Sequence, residues 1–306
     1  MTTLVTGSDG LLGTALKKIV DGDYYFANRS NADLTNFDQT TELFNRVRPS
    51  RVIHLAAKVG GVEANQKNPG SFFYENMMLN LNVLKCAQLF NVEKLVSFIS
   101  TCVFPTQVDF PLSALTLHNG QPHKGNLGYA YAKRMLDIQA SVFREEYGVN
   151  FITLVPANMY GPGDNWNINS GHVIPSLIHK IYQAQRHDQV LSAWGDGTSL
   201  REFIFSEDVA RLILWAMENY ENTHPLILTN SIETSIRNLV EIISEEMNFR
   251  GEIFWDSSKP NGQKRKPSDS QPLLSLLPTF EFTTLKTGLP PTIEWFRNNY
   301  DTLTRK

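Results

Sequence analysis

Hydrophobic positions along this chain follow two spacings. Short unbroken apolar runs bounded by glycine, asparagine or serine predict buried strands, and longer stretches with apolar residues every three or four positions predict helices. The first cycle is a strand over Thr3-Leu4-Val5-Thr6, a turn over Gly7-Ser8-Asp9-Gly10-Leu11-Leu12-Gly13, and an amphipathic helix from Thr14 through Val20. A second strand follows at Asp23-Tyr24-Tyr25-Phe26-Ala27. Arg51-Val52-Ile53-His54-Leu55-Ala56-Ala57 reads as a fourth strand, whose small terminal residues let backbone pass close to a ligand. His54, inside that strand, is expected to be a hydrogen-bonded core histidine. Helices are predicted over 72–90 and 129–147, with a strand at Lys94-Leu95-Val96-Ser97-Phe98-Ile99 between them and another at Pro225-Leu226-Ile227-Leu228-Thr229. In the first of these helices Asn76, Asn80 and Asn82 interrupt the apolar pattern, so each must find hydrogen bonds if buried.

Strands alternating with helices imply an α/β fold, a Rossmann-type doubly wound parallel sheet. The chain has 306 residues, 42% of them hydrophobic, enough for a substantial core without disulfides. A net charge of −3 offers no polybasic face, so neither nucleic acid nor an anionic membrane is expected as a partner. No basic N-terminal region precedes a long apolar run, and no segment approaches ~20 apolar residues, so a soluble, cytoplasmic protein is expected. The two cysteines, Cys86 and Cys102, supply neither a disulfide framework nor a metal set. Cys86 fits a helical core position; Cys102 follows a strand end.

Three stretches carry candidate chemistry. The loop bearing Gly7, Gly10, Leu11, Leu12 and Gly13 lies between a strand and a helix, the context in which helix N–H groups hold a dinucleotide pyrophosphate. The second strand ends at Asn28-Arg29 without the acid that would hold NAD ribose hydroxyls, and Arg29 suits a 2′-phosphate, so the pattern leans to NADP(H). Ser100, Thr101 and Cys102 lie at the carboxyl end of a parallel strand, where ligands bind. In Gly128-Tyr129-Ala130-Tyr131-Ala132-Lys133, Tyr129 and Lys133 share a helical face, and an ammonium near the phenol is expected to lower its pKa. With Ser100 they form a Ser, Tyr, Lys constellation.

The glycine spacing and Tyr-x-x-x-Lys resemble the extended short-chain dehydrogenase/reductase superfamily. Ser100-Thr101-Cys102, the Tyr129 stretch, Asn158-Met159-Tyr160-Gly161-Pro162-Gly163-Asp164-Asn165, Gly171-His172-Val173-Ile174-Pro175 and Trp194-Gly195-Asp196-Gly197-Thr198 resemble the GDP-L-fucose synthases over nearly the full length. That resemblance implies an NADPH-dependent 3,5-epimerase and 4-reductase acting on GDP-4-keto-6-deoxy-D-mannose, in a homodimer formed through helices 72–90 and 129–147. It implies Cys102 as base and His172 as acid for inversion beside the carbonyl, Tyr129 as proton donor in the reduction, Lys133 on the nicotinamide ribose, and Ser100 on the substrate carbonyl. It adds Asp33, Leu34, Leu55, Ala56, Ala57, Pro156, Asn158, Met159 and His172 as cofactor contacts. Asn158, Val173, Lys180, Trp194, Arg201 and Lys266 are implied on the substrate side, a solvated basic run being the alternative for residues 264–266. Asn82 would prop the active-site region, and His179 is expected at the surface. The chain departs from its relatives at Asp9 and Asn31, where basic residues are common, and at Asn261-Gly262-Gln263. Residues 1–157 plus 205–230 are expected to form the nucleotide domain, and 158–204 plus 231–306 a smaller, interleaved α/β substrate domain. A related nucleotide-sugar 4-reductase or 4-epimerase shares much of this pattern. A non-catalytic NADP sensor is disfavoured by the retained tyrosine and lysine.

Overall fold

The computed structural model describes residues 1–168, 170–259 and 263–303. Six parallel strands form the central sheet: β1 (Thr3–Thr6), β2 (Tyr24–Ala27), β3 (Arg51–His54), β4 (Lys94–Phe98), β5 (Asn150–Pro156) and β9 (Leu226–Leu228), in spatial order β2-β1-β3-β4-β5-β9. The predicted fourth strand is the third in the chain, because the only regular element described between Ala27 and Arg51 is helix α2 (Phe37–Val47). Register aligns Thr6 with both Ala27 and His54, and His54 with Ser97, so these carboxyl ends finish at one level. Strand order reverses between β1 and β3, which opens the crevice where doubly wound sheets bind ligands.

Helix α1 (Leu11–Ile19) starts three residues before the hydrophobic pattern predicted, because the glycine loop itself enters the first turn. After the short helix α3 (Val62–Lys67), helices α4 (Pro69–Leu89) and α5 (Leu127–Tyr147) pack along one another. Their close crossing depends on Gly128, where a Cβ would fall 2.3 Å from the Pro69 carbonyl oxygen. Cys86 is fully buried on α4, as its helical setting predicts.

Two apolar clusters cover the two faces of the sheet, one built with α4 and α5, the other with α1 and α7 (Ser206–Asn219). A third cluster is separate, with β6 (Asn158–Tyr160), α6 (Val173–His187), β8 (Leu200–Phe205), α8 (Ile236–Met247) and α10 (Leu285–Leu303) around Trp166, Phe203 and Phe296. In that part β8 lies between β6 and β10 (Glu233–Ser235), and β7 (Leu191–Trp194) pairs with β11 (Ile253–Asp256). Leu273 of α9 (Gln271–Leu276), with Phe280 and Phe282, instead packs in the second cluster, tying the C-terminal segment to the central sheet.

Candidate active site

A cleft of about 780 Å³ follows the carboxyl ends of the strands. At one end Gly7 turns at φ 71, and a Cβ there would come within 2.6 Å of the Ala56 nitrogen, so only glycine lets β1 and β3 close on each other. Helix α1 opens at Leu11 with no side-chain cap and no acid in its first turn, leaving the N–H groups of Leu11, Leu12 and Gly13 to an anion. The buried His54 ring bonds Thr6 Oγ1 at 2.8 Å through Nδ1 and Asn80 Oδ1 at 3.1 Å through Nε2. Burial first, then the charge of Lys133, pushes it down to about 3, so it is a neutral core residue.

The asparagines of α4 act as braces for the cleft wall. Asn76 bonds both the N–H and the carbonyl of Lys58, and Asn82 Nδ2 donates to the Leu34 carbonyl at 2.9 Å. Asn82 therefore braces the Asp33-Leu34 turn, which lines the cleft. Its place on α4 faces the β2 side of the sheet.

Arg29 is exposed on the cleft beside Asp33 and Leu34. Asp9 accepts hydrogen bonds from Asn28 Nδ2 (2.8 Å) and Lys17 Nζ (3.3 Å), and Asn31 Oδ1 accepts from the Asn28 N–H (2.9 Å). Both departures from the common basic pattern are thus engaged in shaping the loop that presents Arg29.

The far end is bordered by Ser100, Tyr129, Lys133, Pro156, Asn158, Met159 and His172; Leu55, Ala56 and Ala57 line the middle. Lys133 does not lie on the phenol oxygen. Its Nζ donates to the Phe98 carbonyl at 2.8 Å and sits 6.0 Å from the Tyr129 ring centre. The expected lowering of the phenol pKa is overturned: desolvation at the cleft floor, reinforced by Cys102, pushes Tyr129 well up, while burial brings Lys133 down to about 8. Burial thereby favours the protonated phenol at Tyr129.

Cys102 lies beyond the cleft lining on a short 3₁₀ turn, Thr101–Val103, and its N–H donates to Ser100 Oγ at 3.4 Å. Buried Arg134 clamps that turn, donating to the carbonyls of Val103 (2.7 Å) and Gly120 (2.6 Å). Cys102 is near enough for a thiolate there to act on Tyr129, Lys133 and Lys266. His172 Nδ1 lies 3.5 Å from Asp164 Oδ1, and this carboxylate raises the imidazole above its ordinary value.

Val173, Lys180, Trp194, Arg201 and Lys266 lie outside the cleft lining, on α6, β7, β8 and the segment after β11. Lys180 and Lys259 sit 5.2 and 5.7 Å from the exposed Trp194 ring. Burial lowers Lys180 and Arg201, and brings Lys266 down to about 8 with Arg201 adding its repulsion. Among the described residues none of these three cations pairs with a carboxylate. Desolvated, unpaired cations are suited to a polyanionic ligand. The run at 264–266 is divided: Lys264 is exposed, Arg265 pairs with Glu233, and only Lys266 turns inward toward Cys102 and Arg201. Asn261 and Gly262 lie outside the described residues.

His179 is buried rather than at the surface, bonded to the Trp166 carbonyl at 2.7 Å and packed on Phe296, because α6 turns that face into the third cluster. Asp164 and the pair Lys58 and Glu75, joined at 2.5 Å, border the cleft without having been singled out from sequence. Neither has a helical or strand spacing to the residues it meets.

The NAD dependent epimerase/dehydratase family matches residues 3–228. GDP-L-fucose synthase of Dictyostelium discoideum is 42% identical, over 98% of this chain and 97% of the relative. The probable GDP-L-fucose synthase of Drosophila melanogaster is 38% identical, over 97% and 98%. A crystal structure of a GDP-L-fucose synthetase from Naegleria fowleri bound to NADP superposes with a TM-score of 0.95 at 39% identity, covering 98% of this chain and 94% of that one.

Proposed function

The chain belongs to the NAD dependent epimerase/dehydratase family and, within it, to the GDP-L-fucose synthases, and on that footing we propose that it converts GDP-4-keto-6-deoxy-D-mannose to GDP-L-fucose with NADPH. The observation that carries this reading is one cleft joining an uncapped helix start to a Ser100, Tyr129, Lys133 and His172 end, with Cys102 acting electrostatically on two of those groups.

NADP(H) fits the nucleotide end: the first-turn N–H groups of α1 suit a pyrophosphate, and the exposed Arg29 suits a 2′-phosphate. NADPH, when bound, supplies the hydride for C4. The chain's own groups handle protons. Cys102 thiolate takes a proton beside the C4 carbonyl, leaving an enolate, and His172 imidazolium returns one from the opposite face, which inverts the centre. Once the Cys102 thiol has released its proton to solvent and His172 has taken one up, the same exchange at the other flanking carbon gives the L-configuration. Ser100 hydrogen-bonds the carbonyl, Tyr129 donates its phenolic proton to O4, and Lys133, anchored on the Phe98 carbonyl, holds the nicotinamide ribose. Arg201, Lys266 and Lys180 supply the positive field for the diphosphate, with Trp194 against the base.

The exposed Phe73 and Leu81 of α4, with Ile138 and Val142 of α5, form an apolar surface suited to a second copy in a homodimer. No described helix is long and apolar enough to cross a membrane.

The test separates the two halves of the reaction. Cys102→Ser is expected to lose deuterium incorporation from solvent at C3 and C5 by ~10²-fold or more, whereas Tyr129→Phe keeps that exchange and loses NADPH oxidation to a similar extent. Unchanged exchange in the first variant, or full reduction in the second, would sink the assignment.

A further inference from the structure

His172 is the residue before the first turn of α6, and its side chain makes no capping bond to that helix. It meets instead a carboxylate eight positions earlier in the chain. Asp164 Oδ1 lies 3.5 Å from His172 Nδ1, and its side chain is 4% exposed against 51% for the histidine. Oδ1 also accepts the Asn165 N–H at 2.7 Å, whereas the buried Oδ2 has no hydrogen-bond partner among the described residues. Among the described residues no lysine or arginine pairs with Asp164. A buried carboxylate left with a single neighbouring base is costly unless that base carries charge.

The loop is folded to make this meeting. A Cβ on Gly171 would lie 2.4 Å from the Asn165 carbonyl oxygen, and one on Gly163, at φ +82, would lie 2.6 Å from Thr14 Oγ1. Asn165 Nδ2 closes the loop by donating to the Ser170 carbonyl at 3.2 Å.

We infer that Asp164 is a positioning residue for His172: its carboxylate holds Nδ1–H, fixes the ring, and leaves protonated Nε2 as the nitrogen facing substrate. This rests on the reading of His172 as the acid for inversion. A histidine ring has two nitrogens, and the bond made by one decides what the other does. The charged groups around the ring agree with the role. Asp164 raises His172, desolvation opposes it, and the first turn of α6 contributes no acidic side chain.

Asp164→Asn keeps the shape and the acceptor for Asn165 while removing the charge. Nitrogen-15 NMR titration of the full chain is expected to show His172 losing its proton at lower pH than in the parent. In parallel, the alkaline limb of C3/C5 deuterium exchange moves down in pH, with exchange at pH 8 falling about tenfold or more. NADPH affinity stays the same. An unchanged His172 titration together with an unchanged alkaline limb overturns the positioning role while leaving His172 as the acid. Full exchange in His172→Asn overturns the underlying reading, and the proposal with it. Should Asp164→Asn not fold, the parent decides: a ring protonated on both nitrogens near pH 7 supports the role, and a neutral ring overturns it.

Discussion

Lys133 is a buried ammonium that donates to a backbone carbonyl, and burial is what brings it down to about 8. The sign for stability follows from proton counting. The unfolded chain keeps the lysine proton to its ordinary ~10.4, so between about 8 and 10 the unfolded state binds more protons and this group's contribution to stability rises with pH. Activity moves the other way. Where the ammonium holds the nicotinamide ribose, kcat/KM is expected to fall by about tenfold per pH unit above about 8; a flat profile to pH 10 would contradict the role. Arg29 acts at the same scale. Arg29→Ala is expected to weaken NADPH by about 10- to 100-fold with little effect on NADH, the value of a charged hydrogen bond to phosphate, read by fluorescence titration of both nucleotides. Equal losses for the two would show that Arg29 does not meet the 2′-phosphate.

At the scale of elements, α4 and α5 decide where Tyr129 stands. Gly128 touches the Pro69 carbonyl, so the helix bearing Tyr129 is seated against α4 by the absence of a side chain. Gly128→Ala inserts a methyl where there is no room. It is expected to cost about 1–3 kcal/mol in urea unfolding and to reduce kcat more than NADPH affinity, since Tyr129 shifts while the glycine loop does not. Wild-type stability in that variant would show that the crossing is slack. The asparagines of α4 belong here too: Asn76, Asn80 and Asn82 spend a helix face on holding the ends of neighbouring segments, which is why the apolar pattern of this helix is broken at those positions.

For the whole molecule, the apolar strip on α4 and α5 is the surface proposed for the dimer contact. Ile138→Glu places a charge on that strip away from the cleft, and is expected to turn a dimer into monomers in sedimentation with the monomer remaining folded. An unchanged mass would move the contact elsewhere. Much of this architecture was legible in the chain. Apolar runs of strand length, the glycine turn after Thr6, and Tyr129 and Lys133 on one helix are local patterns, and local patterns fix elements, the Rossmann class and the nucleotide end of the cleft. Their motif neighbours also tied the chain to its family. What the chain could not convey depends on contacts between segments distant in sequence or joined by irregular loops. Lys133 reaches a carbonyl on β4 rather than the phenol beside it, Asn82 braces the turn after β2, His179 faces an aromatic core, and Asp164 meets His172 across a folded loop. Burial and long-range partners set the protonation of Tyr129, Lys133 and His172, because desolvation and nearby charge are properties of the packed molecule. Sequence determined which groups are available for proton transfer; tertiary structure decided which of them hold a proton, because only packing determines how far each lies from water and from the next charge.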